Sequence, residues 1–335
     1  MRKGSNPHKD QKLSRTKYLH QIIIPVYIPN EEDYFKESFK ILELCLNSIF
    51  QTTHSKTFIS VVNNGSCLAV KIYLEELFSQ NKIHELIHTE NIGKLNAILK
   101  GLVGNDIKLV TIADADVLFL NGWQMETVKI FKTIPKAGVV GLTPQFKTYS
   151  SHCSNFIFDN FFSKKLKFLP VLNKEALKNF YDSIGWKRDY NQNYLNYNLV
   201  YQINKINVLV GSGHFVATYK KDMFEEITSF LGYKLGGNSE TYLDKIPLKK
   251  DYWRFTTEQN FACHMGNTTE KWMYEVKFEK LNCSENYFEF HKNEKLNVIL
   301  YFIKNRIFQK LFSYKKFQKW FLKSKGLPPE MIKNY

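Results

Sequence analysis

Short apolar runs alternate with helical repeats along the first part of the chain. The runs QIIIPVYIPN (21–30), TFISVVNNGS (57–66) and IKLVTIA (107–113) predict buried strands, because each is short and bounded by polar or turn residues. Between them, YFKESFKILELCLNSIF (34–50) and GKLNAILKGLVG (93–104) place apolar side chains at helical spacing. This alternation predicts a parallel sheet with helices on its faces.

Further segments continue the pattern, and one region interrupts it. Two more helices and two more strands are predicted, in the order helix, strand, helix, strand, at 67–80, 84–91, 125–134 and 137–144. Residues 146–205 are rich in Phe, Tyr, Asn and Lys, and their weak periodicity predicts no firm structure. The remainder is predicted to hold a strand pair broken by Gly-Ser-Gly, two helices and a long basic amphipathic segment, at 206–219, 220–232, 255–267 and 295–326.

Composition narrows the class of protein. The 335 residues include 47 Lys and Arg against 32 Asp and Glu, a formal net charge of +15 that favours an anionic partner. The cysteines are five, an odd number, and none are closely spaced, which suits a reducing compartment. No apolar run resembles a secretory signal or a membrane span. The sequence therefore predicts a cytoplasmic protein, with peripheral attachment to the inner face of the cell membrane left open.

Two aspartates close the strand at 107–113. Asp114 and Asp116 are one residue apart, so an extended chain would aim both side chains to the same side. Burying carboxylates is costly unless their charge is compensated, and a hard divalent cation prefers oxygen ligands of this kind. The pair therefore predicts a cation site at a strand end. The alternative is an ordinary turn or helix cap.

The order of motifs resembles the family 2 glycosyltransferases with the GT-A fold. In chain order the matching motifs are IIIPVY (22–27), VVNNGS (61–66), ENIGKLNAILKG (90–101), IADAD (112–116), GSGHFVATYKKDMFEEITSFLG (211–232), TTEQNFACHMG (256–266) and FEFHKNEKLNVILYFIKNR (288–306). Two positions depart from the family pattern. Asn63-Asn64 stands where an Asp is usual, and Glu258-Gln259 stands where an acidic pair is usual.

The resemblance implies a fold and a division of the chain. The fold is α/β of the GT-A (Rossmann-like) type, with a mixed, mostly parallel sheet flanked by helices and a C-terminal amphipathic helical extension. The expected parts are a basic arm, a nucleotide-sugar-binding part, an acceptor-binding part and a basic aromatic tail, at 1–20, 21–145, 146–290 and 291–335.

The resemblance also implies an activity. The enzyme would move a sugar from a nucleotide-diphosphate donor to a glycan or lipid-linked acceptor, with inversion, in cell-surface polysaccharide biosynthesis. Mn²⁺ or Mg²⁺ would bridge the donor phosphates, with Asp116 as the direct ligand and Asp114 acting through the ribose or a metal-bound water. His291 would complete the metal shell, although a lone histidine is more often structural.

Other residues are expected to bind the two substrates. The donor would contact residues at strand ends and at one helix start, namely Pro25, Tyr27, Asn63, Asn64, Lys94, Asp114 and Ala115. The acceptor would lie against Gly211, Ser212, Gly213 and His214. Each group has an alternative: Asn-Asn-Gly as a tight turn, Lys94 as a solvated residue at a helix start, and the glycines as a strand bulge.

The catalytic base is expected to be Glu258, at the start of an acidic helix. A helix N-terminus favours a carboxylate, and partial burial would restore its basicity. The alternative is that Glu258 only caps a turn and that Glu240 or Asp244 acts instead.

The segment 295–325 mixes Lys and Arg with Phe and Trp, a composition that suits an anionic membrane surface or, alternatively, a helix packed on the domain. Two rival functions remain at this point. VTIADADVL also resembles the nucleophile motif of haloacid dehalogenase phosphatases, although here it follows at least three strands. The surplus charge alone would suit a nucleic-acid-binding module, but no signature of one is present, and no nucleic-acid partner is expected.

Overall fold

The first part of the chain forms the predicted alternation of strands and helices. The structure, a computed structural model, describes residues 12, 16–187, 189–225, 240–279, 290–333 and 335. Its early elements are β1 (His20–Val26), α1 (Ser38–Thr52), β2 (Thr57–Asn64), α2 (Leu68–Ser79), β3 (Glu85–Thr89), α3 (Lys94–Leu102), β4 (Leu109–Ala113), β5 (Val117–Phe119), α4 (Trp123–Thr133) and β6 (Ala137–Gly141). Of the basic arm predicted at 1–20, most lies outside the described residues, and His20 already belongs to β1.

The second part adds strands and shorter helices. In chain order these are α5 (Ser154–Asn160), β7 (Leu166–Pro170), α6 (Lys174–Ser183), β8 (Tyr197–Ile203), β9 (Ile206–Val210), β10 (Val216–Lys220), α7 (Glu240–Lys249), β11 (Trp253–Thr257), β12 (Ala262–His264) and α8 (Lys271–Glu275). The C-terminal segment holds α9 (Val298–Phe302), a π-helical turn (Ile303–Ile307), α10 (Phe308–Phe312), α11 (Lys315–Ser324) and α12 (Pro329–Ile332).

One ten-stranded sheet organises these elements, in the order β3-β2-β1-β4-β10-β6-β11-β9-β8-β7. Strands β1 to β4, β6, β8 and β11 run in one direction, whereas β7, β9 and β10 run in the other. Strands β5 and β12 pair separately as a small antiparallel sheet. The predicted α/β class with a mixed, mostly parallel sheet is therefore confirmed.

The continuous apolar run of β1 is explained by helices on both faces of the sheet. Ile22 and Ile24 belong to the core that contains Leu42 of α1, whereas Ile23 points to the core that contains Ile98 of α3. A strand covered on both faces has no polar side to alternate with. The carboxyl ends of β1, β2 and β4 consequently meet at one edge of the sheet, where the predicted donor-site residues lie.

Three predictions of local structure need correction or completion. The helix predicted over 255–267 is wrong, because β11 and β12 occupy this region; Phe255 faces the core while Arg254 and Thr256 face the other side, which is a period of two. The helix predicted over 220–232 is a 3-10 turn at Lys221–Phe224, and residues 226–232 lie outside the described residues. Both strands predicted within 206–219 exist, but β9 pairs with β8 and β11 while β10 lies between β4 and β6.

The C-terminal segment packs on the domain through one of its sides. Phe308, Phe312 and Phe321 are buried in the same core as Phe156 of α5. Lys304 of the π-helical turn is also buried, and it anchors the segment to the sheet through Asp159 and Asp251. The predicted helical extension is present, in the arrangement in which it packs on the domain.

A buried ion cluster joins this segment to the sheet. Lys304 Nζ lies 2.7 Å from Asp159 Oδ1 and 2.8 Å from Asp251 Oδ2. Lys136 Nζ lies 2.8 Å from the same Asp251 oxygen. Lys136 precedes β6 and Asp251 precedes β11, so the cluster lies at the amino ends of these strands, opposite the edge where Asp114 follows β4.

Candidate functional site

The loop that carries the two aspartates is held by backbone hydrogen bonds on both sides. The N–H of Asp114 donates to the carbonyl oxygen of Phe215 at 2.8 Å, just before β10 begins. The N–H of Met265 donates to the carbonyl oxygen of Asp116 at 2.8 Å, just after β12 ends. Ala115, between the aspartates, packs against the core below. The loop is therefore positioned by segments far away in sequence.

Asp114 forms an ion pair with Lys94. The Lys94 ammonium lies 2.6 Å from Asp114 Oδ1 and 2.8 Å from Oδ2, and both side chains are about three-quarters buried. Lys94 is the first residue of α3 and follows Gly93, whose φ of 88° favours glycine. The Lys94 ammonium thus compensates the negative charge of Asp114. The ion pair also places Lys94 at the predicted donor site.

Asp116 keeps one carboxylate oxygen without a partner. Its Oδ2 lies 3.4 Å from Nε2 of His264, whereas Oδ1 is inaccessible to solvent and accepts no hydrogen bond from the described residues. Burial raises the pKa of Asp116 to about 6, assisted by the negative charge of Asp114, while His264 and Lys94 act in the opposite direction. A buried acceptor with no donor is the feature expected where a cation binds.

His264 occupies the position that was predicted for His291. Its Nδ1 lies 3.0 Å from the Ser183 hydroxyl oxygen, which orients the ring with Nε2 toward Asp116. The prediction for His291 is wrong, because its carbonyl oxygen accepts from Lys220 Nζ, and Lys220 pairs with Leu109 at the opposite end of β4. Within the described ranges, no group of three His, Cys, Asp or Glu side chains is placed to hold a metal ion, and Asp116 and His264 form a pair.

The two asparagines mainly build a turn. Asn63 Oδ1 accepts from the N–H of Ser66 at 2.9 Å, and Asn64 Oδ1 accepts from the N–H of Ile92 at 2.9 Å. Gly65 between them and Ser66 has φ +87°, and a Cβ there would lie 2.8 Å from the backbone nitrogen of Asn91. The structure therefore supports the turn interpretation, which still leaves both residues at the expected sheet edge.

Pro25 and Tyr27, near the carboxyl end of β1, differ in solvent exposure. Pro25 is buried within the strand and pairs with Val62. Tyr27 follows the strand and leaves 42% of its side chain exposed, with its ring edge-on to Phe35 at 6.1 Å. Of the two residues predicted at the end of β1 to contact the donor, Tyr27 is thus the more exposed one.

The glycines that were predicted to let an acceptor approach closely are instead packed against other residues of the protein. Gly211 has φ +94°, and a Cβ there would lie 2.4 Å from the carbonyl carbon of Thr148. A Cβ on Gly213 would lie 2.3 Å from Nε2 of Gln145. Ser212 is buried between them and donates its hydroxyl to the carbonyl oxygen of Gly213. The glycines are required by this close packing.

His214 belongs to a charged cluster that the sequence motifs did not reveal as a unit. Its Nδ1 lies 3.6 Å from Asp244 Oδ2, and Arg254 forms an ion pair with Asp244 Oδ1. Arg254 is 3% exposed and donates to the carbonyl oxygen of Ser212 at 2.5 Å. Burial raises the pKa of Asp244, but Arg254 and then His214 outweigh it and hold that pKa below its usual range. The period-two pattern of WRFTT was the available signal for an inward Arg254.

Glu258 does not begin a helix. It follows β11, and its Oε1 accepts from Nδ2 of Asn207 at 2.9 Å. Since β10 and β6 separate β11 from β4, Glu258 is displaced by three strand spacings, about 14 Å, from the strand that ends at the aspartates. Among the described residues, the next α-helix after β10 is α7 (Glu240–Lys249), which carries Asp244 one turn after Glu240. The two alternatives to Glu258, Glu240 and Asp244, therefore lie together on α7.

A comparison with family models supports the resemblance seen in the sequence motifs. The model of the family described as "Glycosyl transferase family 2" matches residues 21–227. No curated protein matches the chain.

Among solved structures, S. aureus TarS 1-349 is 13% identical, with a TM-score of 0.42 over 73% of this chain and 59% of that chain. The same fragment in complex with UDP-GlcNAc is 13% identical, with a TM-score of 0.43 over 77% of this chain and 64% of that chain. The longer S. aureus TarS structure is 13% identical, with a TM-score of 0.44 over 77% of this chain and 38% of that chain. The chain thus spans less than two thirds of these TarS chains, and at such scores the likeness supports no further argument.

Proposed function

This chain belongs to glycosyl transferase family 2 and is a glycosyltransferase, and we propose that it transfers a sugar from a nucleotide-diphosphate donor to a hydroxyl of a glycan or lipid-linked acceptor. We further propose that the transfer inverts the anomeric centre, depends on Mn²⁺ or Mg²⁺, and serves cell-surface polysaccharide biosynthesis in the cytoplasm. The observation that carries the proposal is the unpartnered, buried Oδ1 of Asp116 at the carboxyl edge of the sheet.

The residues present suit a divalent cation and a diphosphate. Asp116 offers Oδ1 without a donor, and Nε2 of His264 lies 3.4 Å from Oδ2 of the same carboxylate. A cation held there would offset the negative charge that develops on the leaving diphosphate. Lys94 adds a positive charge at the same edge, fixed in place by Asp114, and would contact the diphosphate directly.

The acceptor proton requires a base on the side of the anomeric carbon away from the diphosphate. We assign this role to His214, which directly precedes Phe215, the residue whose carbonyl oxygen binds the N–H of Asp114. Asp244, held ionised by Arg254, lies 3.6 Å from Nδ1 of His214 and would orient the ring. As the acceptor oxygen bonds to the anomeric carbon, the bond to the diphosphate oxygen breaks and the proton passes to the imidazole. Glu258 is less suited to this role. It follows β11, three strand positions from β4, and its carboxylate accepts a hydrogen bond from Asn207.

The rival functions lose their support at this site. Asp114 follows the fourth strand of the chain rather than the first, and it lies inside the family match, so the haloacid dehalogenase interpretation has no remaining support. The family match over 21–227 includes IADAD and every strand from β1 to β4, and it leaves no reason to assign nucleic-acid binding.

The proposal is tested by a thermal-shift screen of UDP-, GDP-, dTDP- and CMP-linked sugars, each with and without Mn²⁺. A true donor stabilises the folded state by mass action, and the expected result is a rise in melting temperature for one nucleotide class that requires the cation. The same shift without cation would refute metal dependence. Absence of a shift with every nucleotide, together with absence of donor turnover, would refute the donor class.

A further inference from the structure

An apolar surface remains exposed on the outer side of the C-terminal segment. Ile299 is 71% exposed, and Phe302, Ile307 and Leu311 on the same helical stretch each expose more than 40% of their side chains. Phe162, which follows α5, is 87% exposed. The inner side of the same stretch is buried through Lys304, Phe308 and Phe312, so folding does not require the outer side chains.

Ring contacts through the buried Phe161 join Phe162 to Trp320 and to α10, the helix that follows Ile307 and contains Leu311. Phe161 contacts Phe162 at 5.2 Å, stacks on Trp320 of α11 at 5.4 Å, and meets Phe308 of α10 at 5.8 Å. Trp320 itself is half exposed. We call the surface formed by Phe162, Ile299, Phe302, Ile307, Leu311 and Trp320 the outer patch.

The segments that carry the outer patch also carry exposed cations, and the C-terminal one has no acidic residue near them in sequence. Residues 295–325 contain nine Lys or Arg and no Asp or Glu. Six of them are exposed and form no ion pair with any residue that the structure describes: Arg306, Lys310, Lys315, Lys316, Lys319 and Lys323. Lys164 and Lys165, two and three residues beyond Phe162, are exposed as well.

We propose that the outer patch docks the protein on a bilayer containing anionic lipid. Apolar side chains enter the boundary between headgroups and acyl chains, while the Lys and Arg of the same segments contact anionic headgroups. A second copy of the chain fits less well, because a two-fold interface would bring two sets of like charges together. Within the described residues no helix is long and apolar enough to cross a bilayer, so docking would be peripheral.

The outer patch can be tested apart from the donor site. Its helix is anchored through Lys304 at the amino ends of β6 and β11, whereas Asp116 and His214 lie at the carboxyl edge. Docking does not depend on the proposed donor or metal, so loss of one would not imply loss of the other.

The experiment is vesicle flotation of the full chain, with phosphatidylcholine alone and with phosphatidylcholine mixed with phosphatidylglycerol. The test variants are Phe162→Ser and the double variant Ile299→Ser, Phe302→Ser. The control is the double variant Ile72→Ser, Phe78→Ser, which changes an Ile and a Phe of α2 that are 46% and 47% exposed.

Wild type and control are expected to float only with the anionic vesicles, and less at high salt. Each apolar side chain removed from the outer patch is expected to lower the partition coefficient by roughly tenfold, because its transfer from water is lost. Flotation on neutral vesicles, no flotation on anionic ones, or equal flotation of test and control variants would overturn the proposal. A concentration-dependent dimer that Phe162→Ser abolishes, without vesicle binding, would assign the outer patch to self-association instead.

Discussion

His264 Nε2 lies 3.4 Å from Asp116 Oδ2, and the contact depends on the pairing of two three-residue strands. In the small sheet, His264 of β12 is opposite Val117 of β5, the residue that follows Asp116. A shift of the register by one residue would turn His264 to the other face. The geometry of the proposed metal site therefore depends on the register of this short strand pair.

Asp116→Asn is expected to abolish cation-dependent nucleotide binding. The amide cannot supply the charge that a divalent cation requires, so calorimetric affinity in Mn²⁺ should fall at least about 100-fold. Asp106→Asn serves as control, because Asp106 is an exposed carboxylate paired with Lys108 in the loop before β4. Unchanged affinity in the Asp116 variant would remove this residue from the site.

The same substitution should stabilise the protein when no cation is present. The pKa of Asp116 is raised to about 6 in the folded state, so its ionised form opposes folding, and wild type loses stability as pH rises from about 4 to about 6. Asp116→Asn should lack this loss and gain on the order of 1 kcal/mol at pH 7, a figure reduced because the side chain is 33% exposed. Urea unfolding at pH 4, 5, 6 and 7 measures the difference. Parallel curves for the two proteins would contradict the raised pKa.

His214→Gln is expected to lower kcat by about 10²- to 10⁴-fold with donor affinity nearly unchanged, because it removes a base and leaves the donor contacts in place. Glu258→Gln is the matched comparison and should stay within a few-fold of wild type. Full activity of the His214 variant would return the role to α7, where Glu240→Gln is the next variant to assay.

Lys304→Met is expected to destabilise the fold by about 3 kcal/mol or more, since two carboxylates would remain in the cluster with Lys136 alone. Lys310→Met, an exposed lysine one helical turn beyond the π-helical turn, should change stability by less than about 0.5 kcal/mol. Chemical denaturation of both variants measures the contrast. A loss below about 1 kcal/mol for Lys304→Met would show that the segment is anchored by its aromatic residues.

The sequence predicted correctly those features that depend on a single strand or helix. The apolar run of β1 and the strand before Asp114 could be predicted because helices cover both faces of that part of the sheet. His264 could not be found, because its role depends on which residue of β5 it faces. Arg254 and Asp244 meet only through the packing of α7 on β11, and neither residue lies in a recognisable motif. The helix predicted over 255–267 failed because five- and three-residue strands give too short a pattern to separate from helix.

Ser183 connects the two halves of the chain in a way that bears on how such enzymes diverge. Its hydroxyl orients His264 at 3.0 Å, and its carbonyl oxygen lies 3.0 Å from where a Cβ on Gly266 would be. Ser183 ends α6, within the segment predicted to bind the acceptor, whereas His264 faces the aspartate that is proposed to bind the cation. A lineage that remodels α6 to accept a new glycan would thus disturb its own metal affinity, and changes at 183 should be accompanied by compensating changes at 264 or 266.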